Sequence, residues 1–238
     1  MENIIKTVEI VYIILFTLVV IIICFKGLLI AKEANTNKKA LFFYPLSISI
    51  WFILSLLLSF KGFFKSTEQF SKGDVSGLIY LIILMCIPIV TFFVLLNKSK
   101  SFEKAMNSIS LKFIIFIQLY RILGVYFIIL LLANRAPALF ALPAGLLDIL
   151  IGISAPFVAF KAIRSFSVVP KIWNYIGILD FIIAFSLYFL YFPFKIIKIS
   201  PDMIMWGGFF PVAFIVMFIV PLSTILHVLA IKKINNKS

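Results

Sequence analysis

The chain alternates between long apolar runs and short polar connections. Seven runs have roughly the 20 residues that a helix needs to cross the hydrocarbon core of a bilayer. Because an open sheet cannot pair its backbone groups in lipid, the runs predict helices. They lie at residues 8–25, 40–60, 78–96, 111–132, 139–160, 172–192 and 205–230. The pattern therefore predicts an all-α, polytopic membrane protein, a bundle of seven transmembrane helices.

The organisation of the chain indicates a single domain. No stretch rich in glycine, serine or proline separates two parts, and the runs account for most of the 238 residues. One seven-helix transmembrane domain over residues 1–238 is the simplest arrangement. The first run follows both acidic and basic residues and lacks a small-residue cleavage pattern after it. These features are typical of a first span rather than of a signal peptide.

Composition and charge indicate the surroundings of the chain. Hydrophobic residues make up 63% and charged residues 13% of it, whereas soluble domains have about 25% charged residues. The net charge of +13 comes mostly from lysines in the connections, where they suit anionic lipid headgroups and leave no surface for nucleic acid. Lysine and arginine on the side of the C-terminus outnumber those on the other side by about two to one, which predicts an N-terminus outside and a C-terminus in the cytoplasm. The abundance of Lys, Ile, Phe and Asn is typical of an AT-rich bacterial genome, so we expect the cytoplasmic (inner) membrane, with the lipid bilayer as partner.

The sequence offers little for catalysis or for a cofactor. Cys24 and Cys86 both lie in apolar runs, so a disulfide framework is not expected. The single histidine, His227, excludes a multi-histidine metal site and a bis-histidine haem. The last run has no lysine in its core for a retinal Schiff base, and hydrolase and metalloprotease motifs are missing. We therefore expect no catalytic residue, no metal and no cofactor, and an intramembrane enzyme is the least favoured function.

Three ionisable residues interrupt the later runs at similar depth. Arg121 lies near the middle of the fourth run, Asp148 in the fifth and Asp180 in the sixth. A charge at the bilayer centre costs about 2.5–3.5 kcal/mol on insertion scales, so it needs a polar partner inside the protein. Arginine is rare in this lysine-rich chain, and its planar fork suits paired carboxylates. We predict that the three residues form one buried charge site.

Small and polar residues accompany each charge at helical spacing, which is typical of a face that contacts another helix. Residues 145–152 and 177–184 also agree in residue class at every position, either as an inverted repeat of the kind found in transporters or by coincidence. We expect the fourth to seventh spans to form the tight bundle and the first three to face lipid or a second copy in a homo-oligomer. The supporting polar or packing residues are Gln118, Gly124, Gly145, Gly152, Trp173, Asn174 and Gly177.

Two further polar residues are candidates for a gate or an interface. Arg135 lies in the connection after the fourth run, where it suits either a gate or anion contact or an arginine that reaches the headgroups. His227 lies about one turn from the end of the last run, where a capping or interfacial role is favoured over a catalytic one.

Four motifs in the second half of the chain occur as IQLYRILG, ALPAGLLDILIGISAP, KIWNYIGILD and VPLSTILH. They follow the pattern Q-x-x-R-x-x-G, P-A-G-x-x-D, W-N-x-x-G-x-x-D and a terminal P-x5-H. This pattern resembles that of a group of uncharacterised bacterial membrane proteins with seven spans. The resemblance implies that the second half is a unit, and it implies no activity. The matching positions are Gln118, Arg121, Gly124, Pro143, Ala144, Gly145, Asp148, Trp173, Asn174, Gly177, Asp180, Pro221 and His227.

The charges of the site suggest its function. One arginine and two aspartates leave one surplus negative charge, which a shared proton or a bound cation would neutralise. This favours a small membrane channel or transporter that responds to protons or to a small ion or solute. The alternative is a seven-helix sensor, or a subunit of a membrane complex, in which the buried charges only set the register of the helices.

Overall fold

The computed structural model describes residues 2–33, 38–64, 76–164, 168–191, 196–197, 208 and 210–236. Within these ranges the chain forms helices and turns and no strand, so the all-α prediction is confirmed for them. The helices are α1 (Glu2–Glu33), α2 (Lys38–Phe60), α3 (Ser76–Lys98), α4 (Lys100–Ser108), α5 (Leu111–Leu132), α6 (Ala138–Arg164), α7 (Val168–Tyr191) and α8 (Val212–Asn235).

Six of the described helices are long and apolar enough to cross a membrane, namely α1, α3, α5, α6, α7 and α8. The multi-pass membrane character expected from the sequence is thus confirmed. The second predicted span corresponds to α2, of which the apolar part Pro45–Phe60 is shorter. Part of the seventh predicted span, residues 205–207 and 209, lies outside the described residues.

The two ends of the bundle differ in structure. At one end the short helix α4 follows α3, and Ser99 caps its first turn by accepting a hydrogen bond from the Phe102 amide at 3.3 Å. The ammonium group of Lys233, near the end of α8, donates to the Asn107 carbonyl of α4 at 2.7 Å. We call this the α4 end. The opposite end carries the short connection 133–137 between α5 and α6, and we call it the turn end.

Helix α5 is not a uniform α-helix, because Ile117–Gly124 forms a 3₁₀ segment between two α-helical parts. The hydroxyl of Tyr12 on α1 donates to the Leu123 carbonyl within this segment. The rings of Phe16 and Tyr120 meet edge to face, with centroids 5.5 Å apart. The expectation that the first three spans form an outer layer therefore needs correction for this face of α1, which is buried against α5.

Helix α8 also contains an irregular turn, the π-helical segment Ile215–Ile219. The indole of Trp51 on α2 donates to the Met217 carbonyl at 2.9 Å. Mid-helix 3₁₀ and π segments often lie at functional sites. Here each receives a hydrogen bond from an aromatic side chain of a neighbouring helix.

Candidate functional site

The structure brings the three ionisable residues of the later spans together. Nε of Arg121 donates to Oδ1 of Asp148 at 2.6 Å, and Nη2 donates to Oδ2 of Asp180. The Arg121 side chain is 1% exposed, that of Asp180 3% and that of Asp148 18%. The arginine therefore bridges two carboxylates from two different helices in the interior of the bundle.

The remaining face of the guanidinium group is also occupied. Nη1 lies 2.8 Å from Nε2 of His227 and 3.4 Å from the carbonyl of Gly177. The ring of Phe181 lies against the guanidinium, with its centroid 4.5 Å from Cζ, a distance typical of a cation–π contact. Arg121 thus contacts α6, α7 and α8 at once.

The interfacial or capping role expected for His227 is wrong. Its side chain is completely buried, and Nδ1 lies 2.8 Å from Oδ1 of Asn174. The prediction ended the last span at residue 230, whereas α8 continues to Asn235. His227 therefore lies about two turns from the end of the helix, in the interior of the bundle.

The protonation of His227 follows from its two partners. A guanidinium group only donates hydrogen bonds, so Nε2 of His227 must accept the one from Arg121. Nδ1 then carries the hydrogen of the neutral ring and donates it to Asn174. The amide nitrogen of Asn174 donates in turn to the carbonyl of Pro170 at 2.7 Å. We call this series from Arg121 through His227 and Asn174 to Pro170 the donor chain; it runs toward the α4 end, because Pro170 lies in the first turn of α7.

The four glycines predicted to support the site lie where a side chain would not fit. A Cβ atom on Gly177 would meet the imidazole of His227, and one on Gly124 would meet Cβ of Asp148. A Cβ atom on Gly152 would collide with the backbone nitrogen of Ile122 on α5, and one on Gly145 would lie 2.8 Å from the side-chain end of Ile128. The close approach that small residues allow in membrane helices thus determines where the charged groups meet. The four are Gly124, Gly145, Gly152 and Gly177.

The remaining predicted residues lie beside the site or apart from it. Gln118 is fully buried, and its amide nitrogen is 3.5 Å from the Ser223 carbonyl. The indole of Trp173 donates to Ser154 at 2.8 Å and packs next to the imidazole, with ring centroids 5.4 Å apart. Arg135 is exposed in the connection at the turn end and does not join the cluster.

Sequence reasoning missed two contacts of the site, those of Tyr12 and Phe181. Both had a local signal. A phenol in the middle of an apolar run needs a hydrogen-bond partner when it is buried, and Phe181 directly follows the intramembrane Asp180. The partners themselves lie on other helices, so spacing along the chain could not reveal them.

Both carboxylates line a cavity of about 70 Å³, which we call the carboxylate cavity. A space of this size holds several water molecules. Its lining residues on α6 and α7 follow each other at four-residue steps from the carboxylates toward the turn end, a distance of about 12 Å on each helix. The residues at these steps are Phe140, Ala144 and Asp148 on α6 and Asp180, Ala184 and Tyr188 on α7, and Phe181 and Phe185 of α7 line the cavity as well.

A metal site is not visible at the carboxylates. In the part of the chain that the structure describes, no three His, Cys, Asp or Glu residues are grouped as metal ligands. The two carboxylates instead share the guanidinium of Arg121.

Residues 70–234 match the model of a protein family, Domain of unknown function (DUF8737). The chain belongs to this family. The match begins before α3 and so covers more than the second half to which the motif resemblance applies. It contains all charged and polar members of the cluster, while α1, with Tyr12, lies outside it. No curated protein and no solved structure matches the chain.

Proposed function

We propose that this DUF8737 protein is a small membrane transporter or channel whose Arg121, Asp148 and Asp180 bind and release a proton or a small cation. The observation that carries this proposal is the surplus charge of the cluster. With His227 neutral, one guanidinium faces two carboxylates, so the ionised site has one negative charge too many. Intramembrane ionisable groups commonly mark ion or proton pathways.

The difference between the two sides of the cluster, a cavity on one and packed side chains on the other, supports transport in particular. The carboxylate cavity approaches Asp148 and Asp180 from the turn end. The donor chain occupies the opposite side, where side chains bond directly to one another from Arg121 to Pro170. A site near the middle of a bundle, with a cavity on one side and packed side chains on the other, is the arrangement expected of one state of an alternating-access transporter.

We also propose the topology on which this function depends. The chain would cross the bacterial cytoplasmic membrane seven times, with α2 as a full span, the N-terminus outside and the C-terminus in the cytoplasm. The turn end, and with it the carboxylate cavity, then faces outside. Impermeant thiol labelling of single cysteines at Asn134 and at Asn236, in a chain without Cys24 and Cys86, tests this. Labelling of position 134 alone in intact cells is expected, and labelling of position 236 alone would contradict the orientation.

Flux through proteoliposomes tests the proposed function. The carboxylate of Asp148 or Asp180 supplies the surplus charge, so Asp148→Asn and Asp180→Asn should each abolish the pH-dependent flux reported by an internal pH-sensitive dye. Glu103→Gln is the matched control, because Glu103 lies in a half-exposed pair with Lys232 at 3.6 Å. Full pH-dependent flux in both asparagine variants, with normal elution as folded protein, would reject the proposal.

A second function, that of a sensor or of a subunit of a membrane complex, is favoured by one observation. Arg121 donates to partners on three helices, as expected of a residue that only fixes helix register. Recovery of a stoichiometric partner with the mildly solubilised protein, together with absent flux, would support this function. The same purification also tests the predicted homo-oligomer through α1 to α3, because the partner recovered would then be a second copy of the chain. Only 11% of the most apolar stretch of α3 is buried within the chain.

A further inference from the structure

We infer that the carboxylate cavity binds a small, monovalent organic ammonium ion. The inference rests on the proposed function, since it names the class of solute that the transporter would carry. It depends on three features of the cavity, namely its charge, its unused acceptor atoms and the chemistry of its walls.

The charge of the site selects a monovalent cation. Asp148 and Asp180 together carry two negative charges when ionised, and Arg121 compensates one. A divalent ion would leave an excess positive charge in a low-dielectric interior, where unpaired charge is costly. A ligand with a single positive charge makes the site neutral.

The carboxylates retain acceptor capacity toward such a ligand. Oδ1 of Asp180 is buried and accepts no hydrogen bond from the described residues. A buried acceptor without a partner costs about 1–3 kcal/mol, so its presence calls for a donor. Asp148, whose Oδ1 bonds to Arg121, keeps 18% of its side chain accessible and lines the same cavity. An ammonium group in the cavity has several N–H donors and can bond directly to the accessible part of Asp148. The buried Oδ1 of Asp180 needs a rotation of its side chain to accept a second bond from the same group.

The walls favour an organic cation over a metal ion. Apart from the two acids and Tyr188, the lining side chains are hydrocarbon. Sodium or calcium ions require several oxygen ligands, which these walls do not offer. Aromatic faces, in contrast, attract alkylammonium ions through cation–π contacts. The aromatic lining residues are Phe127, Phe140, Phe181, Phe185 and Tyr188.

Binding of radiolabelled methylammonium, whose size suits a cavity of about 70 Å³, to the purified full chain tests the inference by equilibrium dialysis in detergent. We expect saturable binding that unlabelled methylammonium displaces and that neither sodium ion nor methanol displaces. Asp148→Asn should weaken the affinity about thirtyfold or more, because it removes one partner of a buried charge pair. Phe185→Leu should weaken it about threefold through the loss of a cation–π contact.

A second variant keeps the test meaningful if Asp148→Asn does not fold. Ala184→Leu leaves every charged group in place and fills the cavity, so it should abolish binding. Ala138→Leu and Phe157→Leu, at exposed positions of α6, are the matched controls and should bind as the unmodified chain does. Equal displacement by methanol, or full affinity in Ala184→Leu, would overturn the inference.

The outcomes separate this inference from the proposed function. Asp148-dependent flux of protons without methylammonium binding would refute the inference and leave the proposed function intact. Saturable, Asp148-dependent binding without any flux would refute transport and leave a ligand-binding site, as in a sensor.

Discussion

The two ends of the bundle each contain a cavity, and the cavities differ in both size and chemistry. The carboxylate cavity at the turn end has a volume of about 70 Å³, whereas the cavity at the α4 end has about 400 Å³. The larger cavity has no carboxylate among its described lining residues, and its one charged lining residue, Lys26, is exposed. A lipid chain can fill an apolar space in a membrane, but a buried charge needs a specific partner. The comparison teaches that buried charge, rather than volume, identifies the site.

The strongest test compares the loss of Arg121, which pairs with both acids of the carboxylate cavity, with the loss of Lys26, which lines the larger cavity. Arg121→Leu leaves two buried carboxylates without their partner, so we expect it to lower the free energy of unfolding by about 3–5 kcal/mol. Lys26→Leu, in the larger cavity, should change it by less than about 0.5 kcal/mol, as surface substitutions do. Reversible unfolding in mixed detergent micelles measures both values. If the two variants lose stability equally, the distinction between the cavities is wrong.

A smaller effect is expected from glycine-to-alanine substitutions. The Cβ of Gly177→Ala would collide with the imidazole of His227, and overpacking of this kind costs about 1–3 kcal/mol. Gly27 on α1, which lines the larger cavity and is partly exposed, is the matched control. Alanine is the better helix former, so Gly27→Ala should leave thermal stability unchanged or slightly increased. If Gly177→Ala leaves thermal stability unchanged, the position of His227 does not depend on this close approach.

The smallest effect concerns the backbone that carries Arg121. Tyr12→Phe removes the hydrogen bond to the Leu123 carbonyl in the 3₁₀ segment and keeps the ring. We expect a loss of about 0.6 kcal/mol, the average for interhelical hydrogen bonds in one membrane protein. Tyr80→Phe, at an exposed position of α3, should show no loss in the same unfolding assay. An equal loss of stability in the two variants would show that the hydrogen bond from Tyr12 does not stabilise the segment that carries Arg121.

The meeting of Arg121 with two aspartates could be predicted, because depth in the membrane and the cost of isolated charge leave few alternatives. The helical class followed from the same apolar runs. The surroundings of His227 could not be predicted in this way. Its position depends on the five residues by which α8 extends beyond the predicted end, and these include Lys232 and Lys233, which a hydropathy pattern assigns to the connection.

The 3₁₀ segment of α5 and the π segment of α8 could not be predicted from the sequence either. IQLYRILG has the apolar content and spacing of an ordinary helix, and the contacts that accompany its 3₁₀ geometry come from α1, α6 and α8, which lie elsewhere in the chain. The spacing of the glycines on α5, α6 and α7 correctly indicated that these helices approach their neighbours closely. It could not show that the space at Gly177 accommodates an imidazole ring from α8.

The donor chain has a consequence for proton conduction. A carboxamide such as that of Asn174 does not take up a proton on one atom and pass another on from the next, so a Grotthuss relay stops at this residue. The chain ends on the Pro170 carbonyl, which likewise offers no proton to a following acceptor. A proton held on the acids therefore cannot reach the α4 end along the donor chain, and the proposed transport needs a route to that end that does not use this chain.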